Sequence, residues 1–259
     1  MYKNFVDKIY SILEFENKIV GIKLLKNESE YQKIDAVEPL KEMNYCGMVK
    51  SATNGHSIKA KEIHFKCKSA PRVIGINPDD KNNSKGEVWN KLGLYCNSKI
   101  SESVRNSLTY YTPQDKCIGI QIAPIELFHD IPDVILFLTT SYNSMRLIQG
   151  YSYYFGTPEQ LQIIGNQAIC YESTARVLFT KDINVSFLCI GTRHRAKWDD
   201  NLMCVGIYGE KFEKVVDGVF NTINPMESNK NKNKIKKKLE EKKIDSNFIL
   251  YDDNYYKKV

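Results

Sequence analysis

The feature that most constrains the fold is the alternation of short β-branched runs with stretches of helical periodicity. KIVGIKLL at 18–25 and DVILFLTT at 133–140 are apolar and β-branched, which is typical of buried strands. MYKNFVDKIYSILEF at 1–15 has apolar residues at helical spacing, and 141–154 is a second predicted helix that Gly156 ends. The remaining predicted strands are 56–65, 116–127, 183–191 and 204–208. The remaining predicted helices are one that begins near Pro39 and is ended by Asn54-Gly55, and those over 166–179 and 209–223. This order predicts the α/β class, with a mixed sheet packed against helices.

The charge of the chain is concentrated at its carboxyl end. The whole chain has a net charge of +6, and residues 228–259 contribute ten lysines and five acidic residues. The remaining 227 residues carry 27 basic and 26 acidic groups, so we expect no nucleic-acid partner. The Lys- and Asn-rich composition predicts a disordered tail or a frayed helix over 227–259, with a basic tether as the alternative. We expect a single α/β domain over 1–226.

Targeting signals and cysteine content bound the compartment. Residues 1–30 lack the pattern of a secretory signal, and no apolar run approaches the roughly 20 residues of a membrane span. Seven cysteines, an odd number, do not indicate a disulfide framework in such a chain. The sequence therefore predicts a cytoplasmic protein without a membrane span, whose reduced thiols pack as small apolar groups or bind metal.

Two pairs of matching segments indicate an internal repeat, with halves at about 18–108 and 116–222. KIVGIKLL aligns with KCIGIQIA, and KLGLYCNSKISESVRNSL aligns with MCVGIYGEKFEKVVDGVF in the same order. Such a duplication predicts two pseudo-symmetric halves that together form one domain.

Each half also carries a cysteine pair followed by an arginine: Cys46, Cys67 and Arg72, then Cys170, Cys189 and Arg193. Pseudo-symmetry would bring the four cysteines to one place. Four thiolates suit zinc or an iron–sulfur cluster, and the two arginines would offset its negative charge or bind an anionic substrate. No closely spaced CxxC motif supports this site, so inert packing of the thiols and surface ion pairs of the arginines stay open.

Five segments together resemble the family called domain of unknown function 169, which is found in anaerobic bacteria and archaea. They are MNYCGMVK, IHFKCKSAPRVIGI, PDVILFLTTSYNSMRLIQGYSYYFG, GNQAICYESTARVLF and NVSFLCIGTRHRAKWDDNLMCVGI. The resemblance covers about residues 5–225. It implies one cytoplasmic α/β domain, points to the region of the four cysteines, and carries no settled activity.

Three hypotheses for function follow. The first is a protein that binds an iron–sulfur cluster or another thiolate-held metal at the interface of its halves, for redox or small-ligand chemistry. The second is a metal-free small-molecule-binding or regulatory module with a cleft between the halves. The third is a thiol-dependent enzyme that uses Cys189, for which His194 is a candidate partner. Nothing in the sequence identifies the substrate, the reaction or the oligomeric state.

Overall fold

The structure, a computed structural model, describes residues 2–77, 86–108 and 110–251. Within these ranges the strands form one six-stranded sheet in the order β2-β3-β1-β4-β6-β5. The strands are β1 Val20–Leu25, β2 Ile58–Lys61, β3 Gly119–Pro124, β4 Val134–Thr139, β5 Ile183–Ser186 and β6 Met203–Tyr208.

Helices cover both faces of the sheet. The α-helices are α1 Tyr2–Ile12, α2 Glu28–Lys33, α3 Tyr45–Thr53, α4 Ser69–Ile74, α5 Glu87–Lys91, α6 Ser98–Asn106, α7 Ser141–Phe155, α8 Arg176–Thr180, α9 Ile190–Ala196, α10 Phe212–Asn221, α11 Ile223–Met226 and α12 Asn229–Glu241. A π-helix, Ala168–Ala175, precedes α8. Three short 3-10 turns are Glu62–His64, Ile125–Leu127 and Gly209–Lys211.

Alternation along the strands divides the core into two clusters, one on each face of the sheet. In β4, Val134 and Leu136 pack with α3, α4 and the π-helix, whereas Ile135 and Phe137 pack with α1, α7 and α10. Successive strand side chains point to opposite faces, and every residue of β4 is buried. The predicted α/β class is confirmed, because a strand this apolar needs helices on both sides.

The expectation of a mixed sheet is wrong, because all five strand ladders are antiparallel. Three pairs of strands that follow one another along the chain do run in the same direction: β1 with β2, β3 with β4, and β4 with β5. One antiparallel strand separates each pair, β3 in the first, β1 in the second and β6 in the third. The chain therefore contains crossovers like those of a parallel sheet but no parallel ladder among the named strands.

The internal repeat is not confirmed. Its first two segments form β1 and β3, which are neighbours in the sheet. In the second pair, 203–208 forms β6, whereas 91–97 contains the end of α5 and a turn. Leu92 and Leu94 are exposed there, so the side chains that imitate a strand pattern do not enter the core. Residues 78–85 of the first predicted half lie outside the described residues.

Of the two expectations for residues 227–259, a disordered tail or a frayed helix, the structure agrees with a helix over Asn229–Glu241. Helix α12 begins after Ser228, whose side chain accepts a hydrogen bond from a backbone N–H of the first turn. Ile235 and Leu239, one helical turn apart, are buried in the cluster that contains α1. This apolar pair is enough to fix a lysine-rich helix to the body of the protein. Residues 252–259 of the predicted tail lie outside the described residues.

A buried ion pair joins α12 to the helices before it. Arg146 of α7 has no exposed side-chain surface, and its Nε lies 3.2 Å from Oε1 of Glu227, immediately before α12. The same carboxylate accepts hydrogen bonds from Tyr142 and Asn231.

Within the described ranges, every helix falls short of the length and apolarity that a membrane span requires.

Candidate functional site

Pairing of two chain segments brings the regions of Cys46 and Cys67 together. An isolated parallel bridge joins Met43 to Phe65, and backbone hydrogen bonds of 2.8 and 2.9 Å hold the two segments side by side. Cys46 follows within the first turn of α3 and is buried, and Cys67 follows the other segment and is partly buried. Both thiols pack in the cluster on the same face of the sheet.

A buried hydrogen-bond network ties the π-helix that contains Cys170 to the segment before Cys189. Glu172, which has no exposed surface, accepts a hydrogen bond from the hydroxyl of Ser186 at the end of β5. That hydroxyl in turn accepts the backbone N–H of Leu188 at 3.2 Å. The predicted strand 183–191 therefore stops at Ser186, and the chain turns so that Cys189 precedes α9.

The charges of the other three predicted cysteines influence the pKa of the Cys170 thiol. Burial raises the pKa of Cys170 well above its ordinary value, and negative charge on three other thiols raises it further, those of Cys67, Cys189 and Cys46. Burial raises the pKa of Cys46 to about 11, with a contribution of the same sign from Cys67, while the charge of Arg195 lowers it. The structure thus brings four cysteines from separate elements close enough to influence one another.

Backbone strain is found beside two of these cysteines. Gln167, three residues before Cys170, has φ +52°, and Leu188, directly before Cys189, has φ +63°. A left-handed conformation costs a residue other than glycine on the order of 1–3 kcal/mol, and such outliers cluster at functional sites. π-helices are rare in proteins overall, and those that do occur are frequently found at functional sites. These features mark the same region as the thiols do.

The thiols are engaged in local hydrogen bonds. The Cys189 sulfur accepts the backbone N–H of Thr192 at 3.4 Å and lies 3.2 Å from its hydroxyl. The Cys170 thiol donates to the carbonyl of Gln167 at 3.8 Å. Among the residues that the structure describes, no group of three or more His, Cys, Asp or Glu side chains is arranged to hold a metal ion. The thiols therefore share a neighbourhood without forming a finished coordination sphere there.

The two predicted arginines lie in different settings. Arg193 donates to the carbonyls of Asp199 at 2.5 Å, Phe187 at 2.8 Å and Leu202 at 3.0 Å, so it fixes the loop around α9. Arg72 is buried on α4, and it lines a small cavity of about 200 Å³ that Lys68, Trp89 and Arg105 also line.

Sequence reasoning missed two charged groups of the site. Arg195, rather than Arg193, is the cation whose charge acts on Cys46, and the pattern RHR offered no means to choose between them. Burial raises the pKa of Glu172 despite hydrogen bonds from Ser186 and two backbone N–H groups. Glu172 could have been noticed in the sequence, because it is an acidic residue inside the apolar stretch AICYESTA.

The other cysteines and His194 complete the description. Cys117 and Cys204 are buried, as expected for packing thiols, but Cys96 is exposed in the turn before α6. Cys96 therefore departs from the general expectation that the thiols pack as small apolar groups, because its segment forms an exposed turn and no strand. His194 is exposed and has no hydrogen bond within the described residues, so the thiol-enzyme hypothesis gains no histidine partner for Cys189.

Comparison with known proteins agrees with the resemblance in the sequence. The family DUF169, described as "Uncharacterised ArCR, COG2043", matches residues 8–218. "Uncharacterized protein MJ0308" of the archaeon Methanocaldococcus jannaschii is 24% identical over 219 residues, which cover 82% of this chain and 91% of that protein. No solved structure matches the chain. The family match spans the sheet and all four cysteines of the candidate site, and the chain therefore belongs to the DUF169 family.

Proposed function

We propose that this protein binds an iron–sulfur cluster or another thiolate-held metal through Cys46, Cys67, Cys170 and Cys189. The observation that carries the proposal is the coupling of the thiols, since those of Cys46, Cys67 and Cys189 each influence the pKa of Cys170. A set of four thiolates suits tetrahedral zinc and iron–sulfur clusters. A cluster held by all four thiolates would supply redox chemistry, whereas small-ligand chemistry would need one iron that no thiolate holds.

Charge balance supports the same proposal. Four thiolates together carry substantial negative charge, and burial makes each charge costly unless it is offset. Arg195 lowers the pKa of Cys46 and so favours its thiolate form. Binding must also displace protons from thiols whose pKa is raised, which is the ordinary linkage between metal affinity and pH.

The site must close when metal binds. Four ligands of one tetrahedral zinc lie about 3.8 Å from one another, given Zn–S bonds of about 2.3 Å. We expect the segment around Leu188 to move, since its backbone is strained and, within the described residues, the Cys189 thiol is held only by the backbone N–H of Thr192 at 3.4 Å and by the hydroxyl of the same residue. Local strain of this kind is a store of free energy that metal binding can release.

The test is anaerobic purification of the full chain, followed by its visible spectrum and measurement of iron, sulfide and zinc. We expect bound metal in the wild type and its loss in Cys170→Ser and in Cys46→Ser, while the exposed Cys96→Ser retains it. Circular dichroism checks that each variant is folded. Counting the thiols that react in the native protein gives an independent result, because bound thiols are protected.

Two results would overturn the proposal. One is a metal-free protein that stays metal-free after reconstitution with iron and sulfide or with zinc. The other is metal retained in full by Cys170→Ser. The first result favours the metal-free binding module, the alternative that the sequence leaves open.

A further inference from the structure

The structure also contains a large cleft that none of the four proposed metal ligands lines. It has a volume of about 860 Å³ and opens where β1 and β6 end and where β3 and β4 begin, beside Leu25, Tyr208, Cys117 and Asp133. Cys189 follows the opposite end of β5, because Ser186 pairs with Cys204 at the start of β6. Cys189 and the cleft therefore lie at opposite ends of the strands, and none of the four proposed metal ligands lines the cleft, so inferences about the two sites are independent.

The size and walls of the cleft suit a small molecule. Ligand pockets commonly have volumes of about 300–1,000 Å³ with mainly apolar walls and few polar groups. Here Ile34 and Leu178 form apolar wall, and the ring of Phe179 lies at the cleft with 55% of its surface exposed. An exposed phenyl ring at a cleft offers a surface on which a planar ring can stack.

Two tyrosine hydroxyls and the carboxylate of Asp133 are among the polar groups of the cleft. Burial raises the pKa of Tyr111 and of Tyr208, and the charge of Asp133 contributes to both shifts. The two phenol hydroxyls make no hydrogen bonds to the described residues, so they are available to a ligand. Asp133 is already engaged by the backbone N–H of Leu24 at 2.6 Å and by Lys23 at 3.3 Å.

The rim of the cleft is positively charged. Five lysines and three acidic residues line it, which gives a net charge of +2. Lys23 pairs with Asp133, and Lys26 pairs with Asp115 at 2.6 Å. The other three have no acidic partner within the described residues: Lys33, Lys116 and Lys181. Unpaired ammonium groups beside a low-dielectric wall attract anions more strongly than isolated surface lysines do.

We propose that this cleft binds a small organic anion with a planar apolar ring, whose ring stacks on Phe179 and whose anionic group contacts the lysines of the rim. The Tyr111 and Tyr208 hydroxyls would donate to acceptor atoms of the ligand. Ligand binding here needs no metal, since none of the four proposed metal ligands lines the cleft.

The test uses phenyl phosphate as the probe, with phenol and inorganic phosphate as partial probes, and isothermal titration of the full chain. We expect phenyl phosphate to bind at least tenfold more tightly than either partial probe, because only it offers both ring and charge. Equal binding of phenol or of inorganic phosphate would contradict the proposal, as would no binding of phenyl phosphate at millimolar concentration.

Matched variants locate the binding. Lys181→Glu should weaken phenyl phosphate binding tenfold or more, and Lys99→Glu, an exposed charge reversal on α6, should leave it unchanged. Phe179→Ser should weaken it by about tenfold, as expected for loss of a buried ring contact. Phe187→Ser is its control, because Phe187 is 56% exposed at the other end of the strands. The proposal fails if the cleft variants bind as the wild type does, with folding confirmed by circular dichroism.

Discussion

Cys204 and Cys96 carry the same thiol in opposite settings. Cys204 lies on β6 without exposed surface, whereas Cys96 lies in an exposed turn. Burial raises the pKa of Cys204 from its ordinary value of 9.0 to about 12, and the nearby Glu172 adds to this shift while a hydrogen bond with Ser173 opposes it. The free energy of unfolding must therefore depend on pH through Cys204.

The sign of this dependence follows from proton binding. Between pH 9 and 12 the folded protein keeps the Cys204 proton while the unfolded chain releases it, so rising pH favours unfolding. The stabilisation is complete below pH 9 and is lost as pH rises toward 12. We expect urea denaturation to show a smaller loss of stability above pH 9 in Cys204→Ala than in the wild type. Cys96→Ala should follow the wild type, and identical slopes for all three proteins would exclude this linkage.

Single residues also mark the limit of prediction from sequence. The repeated order of cysteine and arginine selected four thiols, three of which influence the pKa of the fourth, Cys170, and their binding of one metal stays a prediction. It did not show that Arg193 donates to three loop carbonyls while Arg195 acts on Cys46. The positions of the two arginines follow the turn at Leu188, whose backbone is left-handed. No glycine at that position indicates a turn in the sequence.

Among the elements, those with one strong periodicity were predictable. The expected helix 141–154 is α7, ended at Gly156, and the expected strand 133–140 is β4. The expected helix 166–179 forms, but as a π-helix that continues into α8. Its wider turn depends on the contacts of Glu172 and Thr174 with other elements, which a local pattern does not contain.

Helix α12 gives the element-scale prediction. Leu239 is fully buried against the α1 side of the core, so Leu239→Ala should lower the free energy of unfolding by about 2–5 kcal/mol. Lys237→Ala, an exposed change two residues away, should alter it by less than about 0.5 kcal/mol. Chemical denaturation measures both. Equal stability of the two variants would mean that α12 is not part of the cooperative fold.

For the whole molecule, strand order was the least predictable property. The chain pattern is compatible with parallel βαβ crossovers, yet β1 and β6 each insert between two strands of the same direction. A parallel and an antiparallel arrangement of these strands would bury the same apolar side chains, and the two would differ only in which strand edges pair. That choice is made by long-range pairing such as Val134 with Tyr208, so it is absent from any short segment.

Because the four proposed ligands come from separate elements, binding of the proposed metal would stabilise the whole fold. Its four ligands lie on or beside α3, α4, the π-helix and α9, which pack against one another on one face of the sheet. Metal that binds the folded chain but not the unfolded chain stabilises it by about 2.7 kcal/mol when free metal is 100 times its Kd. In a domain of this size, that corresponds to a rise in Tm of about 5–10 °C.

We therefore expect a chelator to lower the Tm of metal-loaded wild type by several degrees, measured by anaerobic calorimetry. The double variant Cys46→Ser/Cys170→Ser should unfold at one temperature with or without chelator, because it lacks two ligands. Cys96→Ser should respond as the wild type does and controls for loss of a thiol. A chelator effect of equal size in the double variant would place the metal elsewhere, and metal-loaded wild type with an unchanged Tm would show that the bound metal does not join these elements.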